Sequence, residues 1–350
     1  MLSLGLQHGT SFDLDFHTIP FHGEDPLVQK HYISKRSRSQ KGILAFLAQD
    51  ADHRKWPSGG PFFCYANTDV RKEDQNDEVV DLAPRRATFV KFWKKRTGQL
   101  PEELIFDSKL TTYANLDWLN GPSKGHFQHG INFITLRRRG PALVHELQSR
   151  PRSAWRQIEL KGVSRAYKKP HILDERVSLP DYSCPIRQIA ITGLGHEEPT
   201  LLLTNQLRRS APLLIERYAH RKVALRGAML IENNIEDGVH FFHIDALSSA
   251  VALKVNCDVQ LTLMASSLYR HLAQQIGHGY ESAKSEHLFR DLIESGPLRG
   301  HATAHIDIDE HAISVHYQRR AHNPLLLAAG FHNTDVFVPW LNRNLRFKFG

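Results

Sequence analysis

The chain has 350 residues, with 45 Lys and Arg against 37 Asp and Glu for a net charge of +8, and a pI near 9.4. That length allows two domains, or one domain with a large insertion. A mean hydropathy of −0.40 and the lack of any run of about 18 apolar residues argue against a spanning helix, and MLSLGLQHGTSFDLDF lacks the basic-then-apolar layout of a secretory signal.

Along the chain, 11–19 (SFDLDFHTI) alternates polar and apolar residues and predicts a strand with Asp13, Asp15 and His17 on one face. A second strand is expected at Lys30 to Ser34, an apolar segment at Gly42 to Gln49, and a short strand at Phe62 to Ala66. Between Glu78 and Arg96 the spacing of Val79, Leu82, Phe89, Val90 and Trp93 predicts a helix that Pro84 must end or kink and Gly98 stops. Leu104-Ile105-Phe106 is a continuous apolar run ending in Asp107, which suits a buried strand with a carboxylate at its C-terminal tip. A helical stretch through Tyr113, Leu116 and Leu119 and a strand from Ile131 to Leu136 follow, so strands alternate with helices and the fold class is α/β.

The character changes after Gly140-Pro141. Five prolines and short apolar runs up to about Asn205 favour a β-rich insertion. Helical spacing returns from Ala211 to Phe242 and continues as an apolar helix from Leu247 to Gln275. His301 to Ile308 alternates strictly, with a turn near Asp309-Glu310 and a partner strand through Ile313, Val315 and Tyr317. The divisions are therefore 11–140, 141–206, 207–295 and 296–350. No internal repeat or low-complexity tract is visible.

The charge is concentrated. From Arg150 to Arg176 eight basic residues stand against three acidic ones, a net of +5, and smaller clusters lie at Lys35 to Arg38, Lys91 to Arg96 and Arg137-Arg138-Arg139. Such clusters suit a polyanion, because each neutralised phosphate releases counterions, and they equally suit a solvated surface. Cys64, Cys184 and Cys257 form neither a CxxC pair nor a disulfide framework, so reduced cytoplasm is the expected compartment.

Three carboxylates stand out: Asp15 within a strand, Asp107 at the tip of another, and Glu232 on a helix marked by Ile235, Val239 and Phe242. At 100° per residue Val239 falls about 20° from Glu232, which puts Glu232 toward the core. Carboxylates converging on one pocket would hold Mg²⁺, and two such ions can activate water or a 3′-hydroxyl for in-line displacement. The plainer accounts are a solvated strand face for Asp15, a helix cap for Asp107 and an ion pair for Glu232. The 22 histidines raise zinc as an alternative, with His301 and His305 on one strand face and His17 and His22 near Asp15, but no HExxH is present. Neither a GxSxG elbow nor a Walker-type glycine loop occurs.

At these acids the chain resembles a known family. Leu14-Asp15-Phe16-His17-Thr18-Ile19-Pro20, the stretch Leu104 to Tyr113, Phe133 to Arg139, Arg217-Tyr218-Ala219-His220-Arg221 leading to Ile231-Glu232-Asn233, and Phe241 to Ser249 together resemble a DDE transposase of the IS-four type. The resemblance runs from about residue 12 to the C-terminus. It implies an RNase H-like mixed sheet flanked by helices, with a β-rich insertion before the glutamate-bearing helix. It implies Asp15, Asp107 and Glu232 as catalytic residues and ligands of two Mg²⁺ ions, with Mn²⁺ as the substitute. Transposon-end and target DNA are the implied partners, with a homodimer in the DNA complex and no membrane.

The family signature of Tyr, two residues, Arg, three residues, Glu, six residues, Lys places Tyr218 and Arg221 on DNA-end phosphates. Arg137, Arg138, Arg139, Lys161, Lys168 and Lys169 would add contacts that do not depend on sequence. The next signature step reaches Leu225, so 222–228 reads as an insertion that restores Glu232, and the Lys position is Val239. Seven residues add about 10.5 Å of helix and only about 20° of rotation. Either the helix lengthens and disturbs the DNA-end contacts, or Gly227 lets the extra residues loop out. Glu216 is the fallback acid. Fourteen residues precede Asp15, where the family carries a DNA-end recognition region, so the expectation is a catalytic core truncated at the front. The competing expectation is an inactive remnant that only binds DNA.

Overall fold

A computed structural model describes residues 9–26, 28–33, 37–51, 62–82, 88–121, 130–161, 163, 167–219, 231–246, 249–277, 280–292, 304–309, 312–317, 336–339 and 342–349. The chain opens with β1 (Ser11–Pro20), β2 (Lys30–Ile33), β3 (Arg38–Asp50) and β4 (Phe63–Val70). β1 lies antiparallel along one edge of β3, and β2 and β4 follow each other antiparallel along its other edge. A 3-10 turn at Lys72–Asp77 leads to α1 (Phe89–Thr97), then β5 (Glu103–Phe106), α2 (Tyr113–Asn120) and β6 (Asn132–Leu136). β5 joins the free edge of β1 in parallel, and β6 joins β5 in parallel. The order at the centre is therefore β4-β3-β1-β5-β6, with three antiparallel strands followed by two parallel ones.

The expected helix from Glu78 to Arg96 is shorter than its spacing suggested. α1 begins only at Phe89, with the Thr88 hydroxyl accepting from the Lys91 N–H at 3.4 Å, and Gly98 ends it in the left-handed region at φ 75°. Val79 and Val80 reach the core from non-helical backbone. Burial without helix is what misled the periodicity.

The segment from 141 to 206 begins with α3 (Pro141–Gln148), which was not expected, and Pro at its first position suits a helix start. Its strands are β7 (Arg156–Gln157), β8 (His171–Val177), β9 (Ile186–Thr192) and β10 (Thr200–Thr204). β10 pairs antiparallel with β6, and β9, β8 and β7 follow outward. These strands continue the main sheet, which has ten strands among the described residues. The helical region comprises α4 (Ala211–Ala219), α5 (Ile231–His240), α6 (Ala252–Ile276) and α7 (Ser285–Leu292). A second sheet holds β11 (Ala304–Ile308), β12 (Ala312–Tyr317), β13 (Val336–Val338) and β14 (Arg343–Phe349) in the order β11-β12-β14-β13.

Apolar residues on the two faces of the main sheet gather separate helices. Phe12, Leu14, Phe46, Leu104, Phe106 and Phe133 pack with Phe89 and Trp93 of α1 and Leu116 of α2. On the other face Ile105, Ile134 and Leu202 meet Leu214, Ile215 and Tyr218 of α4. Ile19, Ile43, Ala45 and Leu47 on that side meet Ile231 of α5 and Val255 and Val259 of α6. The result is a mixed α/β fold in which a large mixed sheet is flanked by helices. No described helix is long and apolar enough to cross a membrane.

Candidate acidic site

β1 presents Phe12, Leu14 and Phe16 to the α1 side, so period-two alternation turns Asp13, Asp15 and His17 toward the face that Ile19 shares with α5 and α6. Asp13 is buried, and Asp15 and His17 are half-buried. The Asp15 face of β1 is thus covered by helices. Asp15 Oδ1 accepts from the Phe16 N–H at 2.8 Å.

The parallel register pairs Asp13 with Ile105. That is the last pair of the ladder, and the two chain segments run on by two residues each to reach Asp15 and Asp107. Asp107 keeps extended backbone at φ −80°, ψ 159°, so the alternation that sends Phe106 to the α1 side turns Asp107 to the side of Ile105 and Asp15. Its Oδ1 accepts from the Ser108 N–H at 2.6 Å and the Ser108 hydroxyl at 3.2 Å, capping a 3-10 turn at Ser108–Leu110. The cap that was the plain account of Asp107 is present, and it fixes one oxygen while leaving the carboxylate at the strand tip.

Glu232 differs from the expectation that it faces the core. It is exposed in the first turn of α5, and the buried arc of that helix is Ile231, Asn234, Asp237 and Gly238. Glu232 and Val239 do lie on one line, but Val239 is only half-buried and marks the margin of the packed arc. Polar residues hold the centre because the sheet and α6 meet them: the Asn234 amide donates to Gln49 Oε1 at 2.7 Å, and Gln49 sits opposite Asp13 in the β1–β3 ladder. Asp237 Oδ2 accepts from the Ser285 N–H at 3.2 Å and lies 3.9 Å from Nη2 of the buried Arg270. Burial pushes the Arg270 guanidinium down to about 10, against the pull of Asp237.

Asn234, Gln49, Asp237 and Arg270 escape an apolar-period reading because each is buried by a specific partner and not by its own hydrophobicity. His17 Nε2 lies 2.7 Å from Asp245 Oδ1, tying β1 to the segment after α5. That aspartate lies in the stretch Phe241 to Ser249 that carries part of the family resemblance. Among the described residues no three His, Cys, Asp or Glu side chains converge closely enough to hold an ion.

The proposed DNA contacts divide. Tyr218 is buried among Ile105, Ile134, Leu214 and Ile215, and Arg221, like 222–228, lies outside the described residues. Arg137 is half-buried and donates to Gln188 Oε1, while Arg138 is exposed. Arg139 donates to the Pro199 carbonyl at 3.1 Å and lies 3.4 Å from the Glu198 carboxylate. Lys161, Lys168 and Lys169 are exposed, and Lys168 pairs with Glu159 at 3.1 Å. The Lys168 bond, with Lys169 and Lys161 adding their charge, holds the Glu159 carboxyl below its ordinary range, so the three lysines form one cluster. Glu216, the fallback acid, accepts from the Lys161 backbone N–H and is committed to the β-rich segment. Near the lysines a groove of about 570 Å³ is lined by Arg150, Arg152, Trp155 and His171, which locates much of the basic excess. Half-buried Cys64 donates to the Ala48 carbonyl at 3.3 Å, and His301 lies outside the described residues.

Compared with protein-family models and with curated proteins, the chain finds no match.

Proposed function

We propose that this chain is the catalytic core of a DDE transposase of the IS-four type, with an RNase H-like sheet that carries metal-dependent DNA cleavage and strand transfer. The observation that carries this reading is the parallel pairing of β1 with β5, which runs to Asp13 and Ile105, two residues before Asp15 and Asp107. The strand order β4-β3-β1-β5-β6, and the entry of the basic β-rich segment between β6 and α4, support it.

Two carboxylates, each with one oxygen oriented by the next backbone N–H, match what Mg²⁺ takes from a protein before waters and substrate phosphate complete its shell. When bound, the ions would polarise phosphate and activate water or a 3′-hydroxyl. Asp15 within β1 and Asp107 at the tip of β5 hold the charge. Glu232, at the start of the helix lying beside this face, is the acid assigned to complete the set. Arg138 and the Lys161, Lys168 and Lys169 cluster draw the DNA backbone to the insertion, and transposon-end and target DNA are the partners.

The test uses supercoiled plasmid carrying the DNA that flanks the chain's own gene. Nicking or strand transfer is expected with Mg²⁺, falling at least about 100-fold in Asp107→Ala. Activity unchanged in that variant sinks the mechanism. The exposure of Glu232 favours one second reading, a remnant that binds DNA without cleaving it. It predicts salt-sensitive DNA binding and no divalent-dependent turnover.

A further inference from the structure

Helix α6 is apolar on two sides. Over its 25 residues, Val255, Val259 and Leu263 are buried in the cluster against the sheet. The outward side carries Leu253, Leu261, Met264 and Leu268, exposed to 79%, 57%, 61% and 64%, together with exposed Cys257. Steps of four, four, three and four residues draw these five into one stripe of nearly heptad spacing, about 23 Å long. Among the exposed residues of α6 only Lys254 is charged. An exposed apolar stripe opposite a buried one is a surface suited to contact with another.

We infer that the outer face of α6 docks on the same face of a second copy of this chain, the two helices antiparallel about a two-fold axis passing between Gln260 and Leu261. In that register Leu253 meets Leu268 of the other copy, the short Cys257 meets the long Met264, and Gln260 meets Leu261. A two-fold contact uses one patch twice and closes on itself.

Charge selects the direction. Parallel helices in register would set the two Lys254 ammonium groups side by side, whereas the antiparallel pair separates them by 13 residues, about 20 Å. Area agrees with a second copy. Five exposed side chains of this size offer about 400 Å² per copy at roughly 60–120 Å² each. With the stems of Val251, Lys254 and Gln260, two copies bury about 1,000 Å², the lower bound for a specific interface. A groove of about 160 Å³ between α6 and β4, lined by Phe63, Tyr65, Gln260 and Met264, extends the surface sideways. This inference does not depend on the transposase reading.

Sedimentation velocity of the full chain should show a species of twice 40.0 kDa growing with concentration into the tens of micromolar. Leu261→Glu, which sets two carboxylates at the two-fold axis, should return it to monomer with an unchanged circular dichroism spectrum and Tm. In a Cys184→Ala background, Met264→Cys should give a disulfide between chains that joins positions 257 and 264. A monomer at every concentration up to about 100 µM overturns the inference, including the case in which another part of this chain covers the stripe. A dimer that survives Leu261→Glu, or a Cys257–Cys257 disulfide in the unmodified chain, overturns it as well.

Discussion

Two sets of carboxylates in the ten-stranded sheet have different neighbours, one in its outer half and one at β1 and the tip of β5. In the outer half, Asp174 on β8 meets Arg187 at 2.8 Å and Arg156 at 3.3 Å, and Glu159 meets Lys168. Arg187 holds the Asp174 carboxyl below its ordinary range against the desolvation that would raise it. In the central half, Asp15 and Asp107 each turn an oxygen to the backbone N–H of the following residue. A peptide dipole orients a carboxylate and leaves its full charge, whereas a guanidinium neutralises it. Glu103 on β5 follows the outer pattern, held by Arg209 at 2.7 Å and Arg217 at 2.9 Å, so the contrast lies between individual acids and not between whole halves.

The contrast is tested from the strongest effect downward. Phe46, fully buried and edge-on to Phe16 and Tyr65, measures the packing under the central acids. Phe46→Ala should cost about 3–5 kcal/mol in urea unfolding. Asp107→Asn should lower Mg²⁺-dependent nicking at least about 100-fold while moving Tm little, because Asn caps a helical turn as well as Asp does.

The same substitution in the outer half should act on stability. Asp174→Asn should lose about 1–3 kcal/mol at pH 7. The folded-state carboxyl lies below its unfolded value of 3.8, so its contribution is full above that pH and fades as pH falls through the folded value. Unfolding curves of the two proteins should therefore converge in acid. Smallest of all, Lys168→Ala should leave Tm almost unchanged, since its pair with Glu159 is exposed. Its effect should be on DNA, where the salt slope of binding falls by about 1.

Much of the central half was legible in the sequence. Leu104-Ile105-Phe106 had to be a buried strand because it is continuously apolar, and 11–19 had to put Asp13, Asp15 and His17 on one side because strands alternate. The cap at Asp107 was legible too, since Ser108 follows directly. The face of α5 was misread for a physical reason: apolar periodicity cannot see a buried Asn234, Asp237 or Gly238, whose burial depends on Gln49 and Arg270 far away in sequence. Pro141 starts a helix, and nothing local shows that β10 returns to pair with β6, because that contact joins residues about 70 apart.

By itself, then, the sequence determined the strands of the central half, where the charge lies and which acids are candidates, since these follow from local period and composition. The tertiary structure alone decided that β1 and β5 pair in parallel just before Asp15 and Asp107, that Glu232 is exposed, and that the basic segment extends the same sheet. Each of those depends on register and helix rotation, which are set by partners distant in the chain and shift with a single residue of slip.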